Sequence, residues 1–168
     1  MDLSPHWVCS AHMGADVGAT TDLARRIAQY LRPGDTLLLD GELGSGKTHF
    51  ARGVIQACLG ATHAVIDIPS PTFTLVQTYD APCGEIWHAD LYRLSEWQEI
   101  LELGLDLAMD TAICMIEWPV RAGIVWPDSA VCVRFDTPLN APDTRDLSLW
   151  GAPDAPLLGR ITRAFAML

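Results

Sequence analysis

Apolar positions along the chain fall into short runs and helical stripes separated by Gly and Pro. Thr21 to Leu31 sets Leu23, Ile27 and Leu31 on one helical face, and Pro33-Gly34 ends that helix. Thr36 to Asp40 is an apolar run with little alternation, the pattern of a strand buried on both faces, as parallel strands usually are. A glycine-rich stretch follows. Beyond it, Ala51, Val54, Ile55 and Cys58 mark the buried stripe of a second helix, with Gly60 where a C-terminal cap is expected.

Prolines exclude a helix between Ile68 and Pro71, and the β-branched and aromatic residues of Thr72 to Tyr79 predict an extended loop turning into a strand. Pro82-Cys83-Gly84 reads as a turn, so Glu85 to Asp90 returns antiparallel as a hairpin. Ser95 and Gln98 form a capping-box pattern for an acidic helix that ends near Gly104. Ala112 to Ile116 is the next buried strand, closed by Glu117-Trp118-Pro119. Ala130 to Phe135 and Leu147 to Trp150 predict two more strands around a loop holding Pro138, Pro142 and Asp143, and a closing helix spans Pro156 to Met167. No repeat, low-complexity tract or linker divides the 168 residues, so one domain over 1–168 is expected.

Composition narrows the function. Hydrophobic residues make up 49% and charged residues 19%, a globular composition. The net charge of −10 and pI near 4.7 would repel nucleic-acid phosphates, so no direct nucleic-acid binding is expected. An acidic surface suits a metal-dependent enzyme or a protein contact instead. The five cysteines are odd in number, scattered and never in a C-x-x-C pair, which suggests neither a disulfide framework nor a zinc knuckle and fits a reducing cytosol. Met1 to Ser10 lacks the pattern of a signal segment, and no window approaches a membrane span. A cytoplasmic location is expected.

The glycine-rich stretch carries the chemistry. Gly41-Glu42-Leu43-Gly44-Ser45-Gly46-Lys47-Thr48 matches the Walker A pattern G-x-x-x-x-G-K-[ST], whose glycines let backbone N–H groups curl around phosphate oxygens. Lys47 can neutralise β and γ oxygens, the Thr48 hydroxyl can bind Mg²⁺, and the helix that follows directs its positive end at the phosphates. The motif lies between an apolar strand and an amphipathic helix, the arrangement in which it works. That order predicts an α/β fold, a P-loop NTPase-like three-layer sandwich with a mixed, partly antiparallel sheet.

A P-loop enzyme needs a strand-end carboxylate for Mg²⁺. Glu117, after the apolar run from Ala112 to Ile116, is the better candidate by burial pattern, with Asp90 close behind. An arbitrary carboxylate at a strand end caps a turn or pairs with a residue such as Arg93; the upstream loop reverses that preference. Thr72 and Thr74 can offer hydroxyls as mobile switch segments do, although threonines in such a segment are by composition ordinary strand residues. His88 lies alone in a strand with no metal-ligand spacing and receives no chemical role. Trp118 is either core or partner-facing, and the sequence does not choose.

Four blocks follow in order: the phosphate loop, Ser70-Pro71-Thr72-Phe73-Thr74-Leu75, His88-Ala89-Asp90-Leu91-Tyr92-Arg93-Leu94 and Ile116-Glu117-Trp118-Pro119. Together they resemble the bacterial TsaE family (formerly YjeE), the ATPase component of tRNA threonylcarbamoyladenosine synthesis. The likeness is dense from Gly18 to Pro119 and loose beyond. It implies that Lys47 and Thr48 contact phosphate and Mg²⁺, that Thr72 belongs to a switch-like segment, and that Asp90 and Glu117 serve hydrolysis and metal binding. It also implies ATP and Mg²⁺ as ligands, and hydrolysis that resets or sustains a TsaD–TsaB complex moving a threonylcarbamoyl group onto adenosine 37 of tRNA. His49, where the family often has a second threonine, and the Asp- and Pro-rich tail depart from the pattern.

Two other classes share the opening motif: a small-molecule P-loop kinase and a nucleotide-gated adaptor. A kinase needs an arginine-bearing lid, whereas Arg121, Arg134 and Arg145 are scattered without one.

Overall fold

The computed structural model describes residues 6–60, 67–94 and 96–165. Seven strands form one mixed sheet in the order β1-β7-β6-β2-β5-β4-β3. In chain order the elements are β1 (Val8–Ala15), α1 (Val17–Ala28), β2 (Thr36–Gly41), α2 (Lys47–Leu59), β3 (Val76–Ala81), β4 (Gly84–Asp90), α3 (Trp97–Glu102), α4 (Leu105–Thr111), β5 (Ile113–Glu117), β6 (Val131–Asp136), β7 (Arg145–Gly151) and α5 (Pro156–Phe165). A 3₁₀ turn covers Pro119–Ala122.

Parallel pairing joins β6, β2, β5 and β4, and antiparallel strands flank this centre on both sides. Consecutive residues of a strand face opposite sides of the sheet. Leu37, Leu38 and Leu39 all have no solvent exposure, as do Ile113 through Ile116, so both faces of the central strands are covered. The helices supply that cover: α1 packs on α2, α2 on β2 and β5, α4 on β5, and α5 on β1, β7 and α1. This is the predicted α/β sandwich with a mixed sheet.

Several boundaries differ from the sequence expectation. α1 begins earlier, at Val17, because the Asp16 carboxylate accepts the Ala19 amide at 2.8 Å and caps the helix. β1 is additional; it is an edge strand whose residues VCSAHMGA lack clear alternation. Pro71 to Thr74 forms a turn, closed by Leu75 N–H donating to the Pro71 carbonyl at 2.7 Å, and β3 starts only at Val76. The acidic helix is split at Gly104, whose φ of 73° ends α3 and starts α4. The expected cap Ser95 lies outside the described residues; α3 has Glu96 as its cap, in a box completed by Glu99. Of the closing helix, Phe165 is the last described residue.

Register positions the site. Leu39 of β2 pairs with Glu117 of β5, and Glu117 pairs with Asp90 of β4. Both carboxylates therefore stand level with the C-terminal end of β2, where the glycine-rich loop begins. Crevices at the carboxyl ends of parallel strands are where open α/β sheets bind ligands.

Candidate functional site: a phosphate loop facing two carboxylates

The loop's shape follows from its glycines. Gly44 and Gly46 have φ of 76° and 106°, left-handed values that side chains resist. At Gly41 a Cβ would stand 2.5 Å from the Phe135 carbonyl, so only glycine fits beside β6. α2 then begins with no side-chain cap and no acidic residue in its first turn. Its first N–H groups are left for a ligand, and its positive end favours an anion.

An open cleft of about 330 Å³ lies against this helix start, lined among others by Lys47, Thr48, Thr72, Asp90, Glu117 and Trp118. Lys47 is 4% exposed, and its Nζ donates to the Gly41 and Glu42 carbonyls, each at 2.8 Å. Burial pushes its pKa down, while the nearby carboxylates Glu117, Asp40, Asp90 and Glu42 push the other way. Trp118 covers the ammonium, with the ring centre 3.9 Å from Nζ. Trp118 itself has φ 58°, packs its ring at a tilt of 52° against Tyr92 with centres 4.9 Å apart, and is half-buried, lining the cleft.

The carboxylates have distinct partners. Thr48 Oγ1 donates to Glu117 Oε2 at 2.8 Å, so the hydroxyl expected to hold Mg²⁺ and the preferred carboxylate already meet. Asp90 Oδ2 instead accepts from Thr72 Oγ1 at 2.6 Å, and Oδ1 from the Tyr92 amide at 2.9 Å. Ser70 Oγ stands 2.7 Å from Thr72 Oγ1, extending this chain of hydroxyls. Thr74 is exposed and does not line the cleft, and Arg93 lies against Phe73 instead of pairing with either carboxylate. Glu42 and Leu43 contribute backbone to the loop while their side chains are exposed.

A half-buried hydroxyl on a buried carboxylate, beside uncapped helix amides and a lysine, fits a magnesium–triphosphate. Among the described residues no group of three His, Cys, Asp or Glu makes an all-protein cage. Magnesium at phosphate sites takes few protein ligands and uses phosphate oxygens and water for the rest.

A family model described as threonylcarbamoyl adenosine biosynthesis protein TsaE matches residues 15–146. The chain belongs to the TsaE family. Among its relatives, the tRNA threonylcarbamoyladenosine biosynthesis protein TsaE of Rickettsia conorii is 46% identical over 99 residues, covering 59% of this chain and 55% of that one. The protein of the same name from Bacillus subtilis is 38% identical over 100 residues, covering 59% and 60% of the two chains. The chain thus spans a little over half the length of these curated relatives. The crystal structure of Bacillus subtilis YdiB superposes with a TM-score of 0.71 at 22% identity, covering 93% of this chain and 97% of that chain, which supports the fold.

In this TsaE-family chain the structure adds a residue that sequence reasoning set aside. His88 is fully buried, and its Nε2 lies 2.8 Å from Glu117 Oε1. It therefore orients the carboxylate that Thr48 meets from the other side. The signal that finds it is register: His88 pairs with Met115, placing it diagonal to Glu117 on the same face of the sheet. Its Nδ1 is buried with no partner among the described residues. No described helix is long and apolar enough to cross a membrane.

Proposed function

We propose that the chain is a cytoplasmic Mg²⁺-dependent ATPase supporting threonylcarbamoylation of adenosine 37 in tRNA through a TsaD–TsaB partner complex. Family membership supports the role in tRNA threonylcarbamoyladenosine biosynthesis, and the 2.8 Å contact between Thr48 and Glu117 beside Lys47 carries the hydrolytic reading. Lys47 sits where it can leave the Gly41 and Glu42 carbonyls for β and γ oxygens. A bound magnesium would supply positive charge against that developing on the phosphate oxygens. Thr48 and Glu117 would hold it, with His88 fixing the carboxylate. Asp90, tied to Thr72 and set one strand further out, would orient the attacking water and sense the switch-like segment.

The kinase alternative loses its arginines. Arg145 donates to carbonyls of the phosphate loop and its own connection, Arg134 pairs with Asp136, and Arg121 lies over Tyr92. Each is engaged away from a lid.

The test is Glu117→Gln, assayed for ATP binding and for hydrolysis with and without TsaD–TsaB. Binding is expected to persist while hydrolysis is lost, and the partner complex is expected to raise wild-type turnover. Unchanged hydrolysis in the variant would exclude Glu117 as the metal carboxylate, and a wild-type protein indifferent to the partner would remove the partner assignment.

A further inference from the structure

Arg145 opens β7, and the pairing of Leu147 with Phe135 and of Phe135 with Gly41 brings that strand's beginning level with the phosphate loop. Its guanidinium reaches across to the loop's outer side. Nε donates to the Ser45 carbonyl at 2.9 Å and Nη2 to the Gly44 carbonyl at 3.2 Å. Nη1 donates to the Pro142 and Thr144 carbonyls at 2.7 and 2.6 Å. All four hydrogen bonds go to main-chain oxygens, and a planar fork with fixed donor directions suits that task where a lysine does not.

The consequence for the ligand side follows from peptide geometry. In a trans peptide the C=O and the next N–H point in opposite directions. Holding the Ser45 carbonyl outward therefore aims the Gly46 N–H inward, toward the cleft at the start of α2. Ser45 is buried, and its N–H donates to the Glu42 carbonyl at 3.1 Å, but the flanking glycines add no side-chain packing, and a Cβ placed on Gly44 or Gly46 would meet nothing within 4 Å. Two glycines with left-handed φ have more conformations open to them than other residues, and the Arg145 hydrogen bonds restrict that freedom. Arg145 lines a smaller neighbouring cleft that Gly44 and Gly46 also line, and it is not among the residues of the cleft holding Lys47, Asp90 and Glu117. Its contacts therefore reach the loop and not the cleft itself.

We infer that Arg145 is a positioning residue that clamps the Gly44 and Ser45 carbonyls and so preorganises the loop amides for phosphate. The inference rests on the phosphate-loop reading. Preorganisation lowers the ordering cost of binding, so the effect belongs to nucleotide affinity.

The experiment compares wild type, Arg145→Gln and Arg145→Lys by titration calorimetry with Mg·ADP and Mg·ATP, alongside thermal unfolding without nucleotide and steady-state hydrolysis. Arg145→Gln is expected to raise Kd for both nucleotides at least tenfold. KM should rise by more than kcat falls, and Arg145→Lys should recover part of the affinity. A folded Arg145→Gln protein that binds within twofold of wild type overturns the assignment, as does a lowered unfolding temperature with unchanged Kd. Should the glutamine variant not fold, Arg145→Lys decides: at least a fivefold rise in Kd supports the clamp, and a change within twofold overturns it. If wild type itself binds no nucleotide, the phosphate-loop reading fails and takes this inference with it.

Discussion

At the scale of single residues, the site is a set of polar groups whose partners were hidden from the linear sequence. In the linear sequence His88 is a lone strand histidine, because its contact with Glu117 exists only through the pairing of β4 with β5. Replacing it with alanine leaves the Glu117 oxygen without its buried partner. We expect destabilisation of about 1–3 kcal/mol in urea unfolding, with lower turnover and nucleotide affinity less affected; a stable variant with wild-type turnover would contradict the positioning role. Asp40, 3% exposed at the end of β2, has its pKa raised by burial, with Arg134, the Gly41 amide and Lys47 opposing. A carboxyl whose pKa is higher in the folded state binds more protons when folded, so its contribution weakens as pH rises above its ordinary value of 3.8. The stability of wild type relative to Asp40→Asn should therefore grow as pH falls from 7 toward 4, measured by denaturant midpoints. A difference that grows in the opposite direction would contradict the burial account.

At the scale of elements, the β2–loop–α2 unit was legible because its signals are local: an apolar run, the G-x-x-x-x-G-K-T string and an amphipathic stripe in immediate succession. β1 was not, because an edge strand of small and mixed residues needs little burial and gains its place from β7. α4 was not, because a helix of seven residues carries less than two full periods of pattern. Burial pattern favours Glu117 over Asp90, and in the structure Glu117 meets Thr48 while Asp90 meets Thr72. Gly41 links this local unit to the sheet. Its φ of 149° and the 2.5 Å approach a Cβ would make to the Phe135 carbonyl predict that Gly41→Ala costs on the order of 1–3 kcal/mol. The variant should also displace the loop and weaken nucleotide binding; unaltered unfolding and binding would show that β6 yields more easily than its burial suggests.

At the scale of the whole molecule, the proposed phosphate site is carried by a chain with net charge −10. On the proposed function such a molecule would hold a triphosphate through local amides and one buried lysine rather than through its overall field. Filter binding of tRNA to the isolated chain should show no retention at physiological salt, and retention should appear only with the partner complex; tight binding by the chain alone would contradict the proposed division of labour. A nucleotide that binds only the folded state adds about 2.7 kcal/mol at a hundred times its Kd, so saturating Mg·ATP should also raise the unfolding temperature. The most direct test is titration calorimetry of Mg·ATP into wild type and Lys47→Ala, with and without TsaD–TsaB. Saturable, magnesium-dependent binding of one nucleotide per chain, weakened at least tenfold by Lys47→Ala, is the predicted result. No heat under any of these conditions, or equal affinity for both proteins, would contradict a phosphate loop at Gly41 to Thr48.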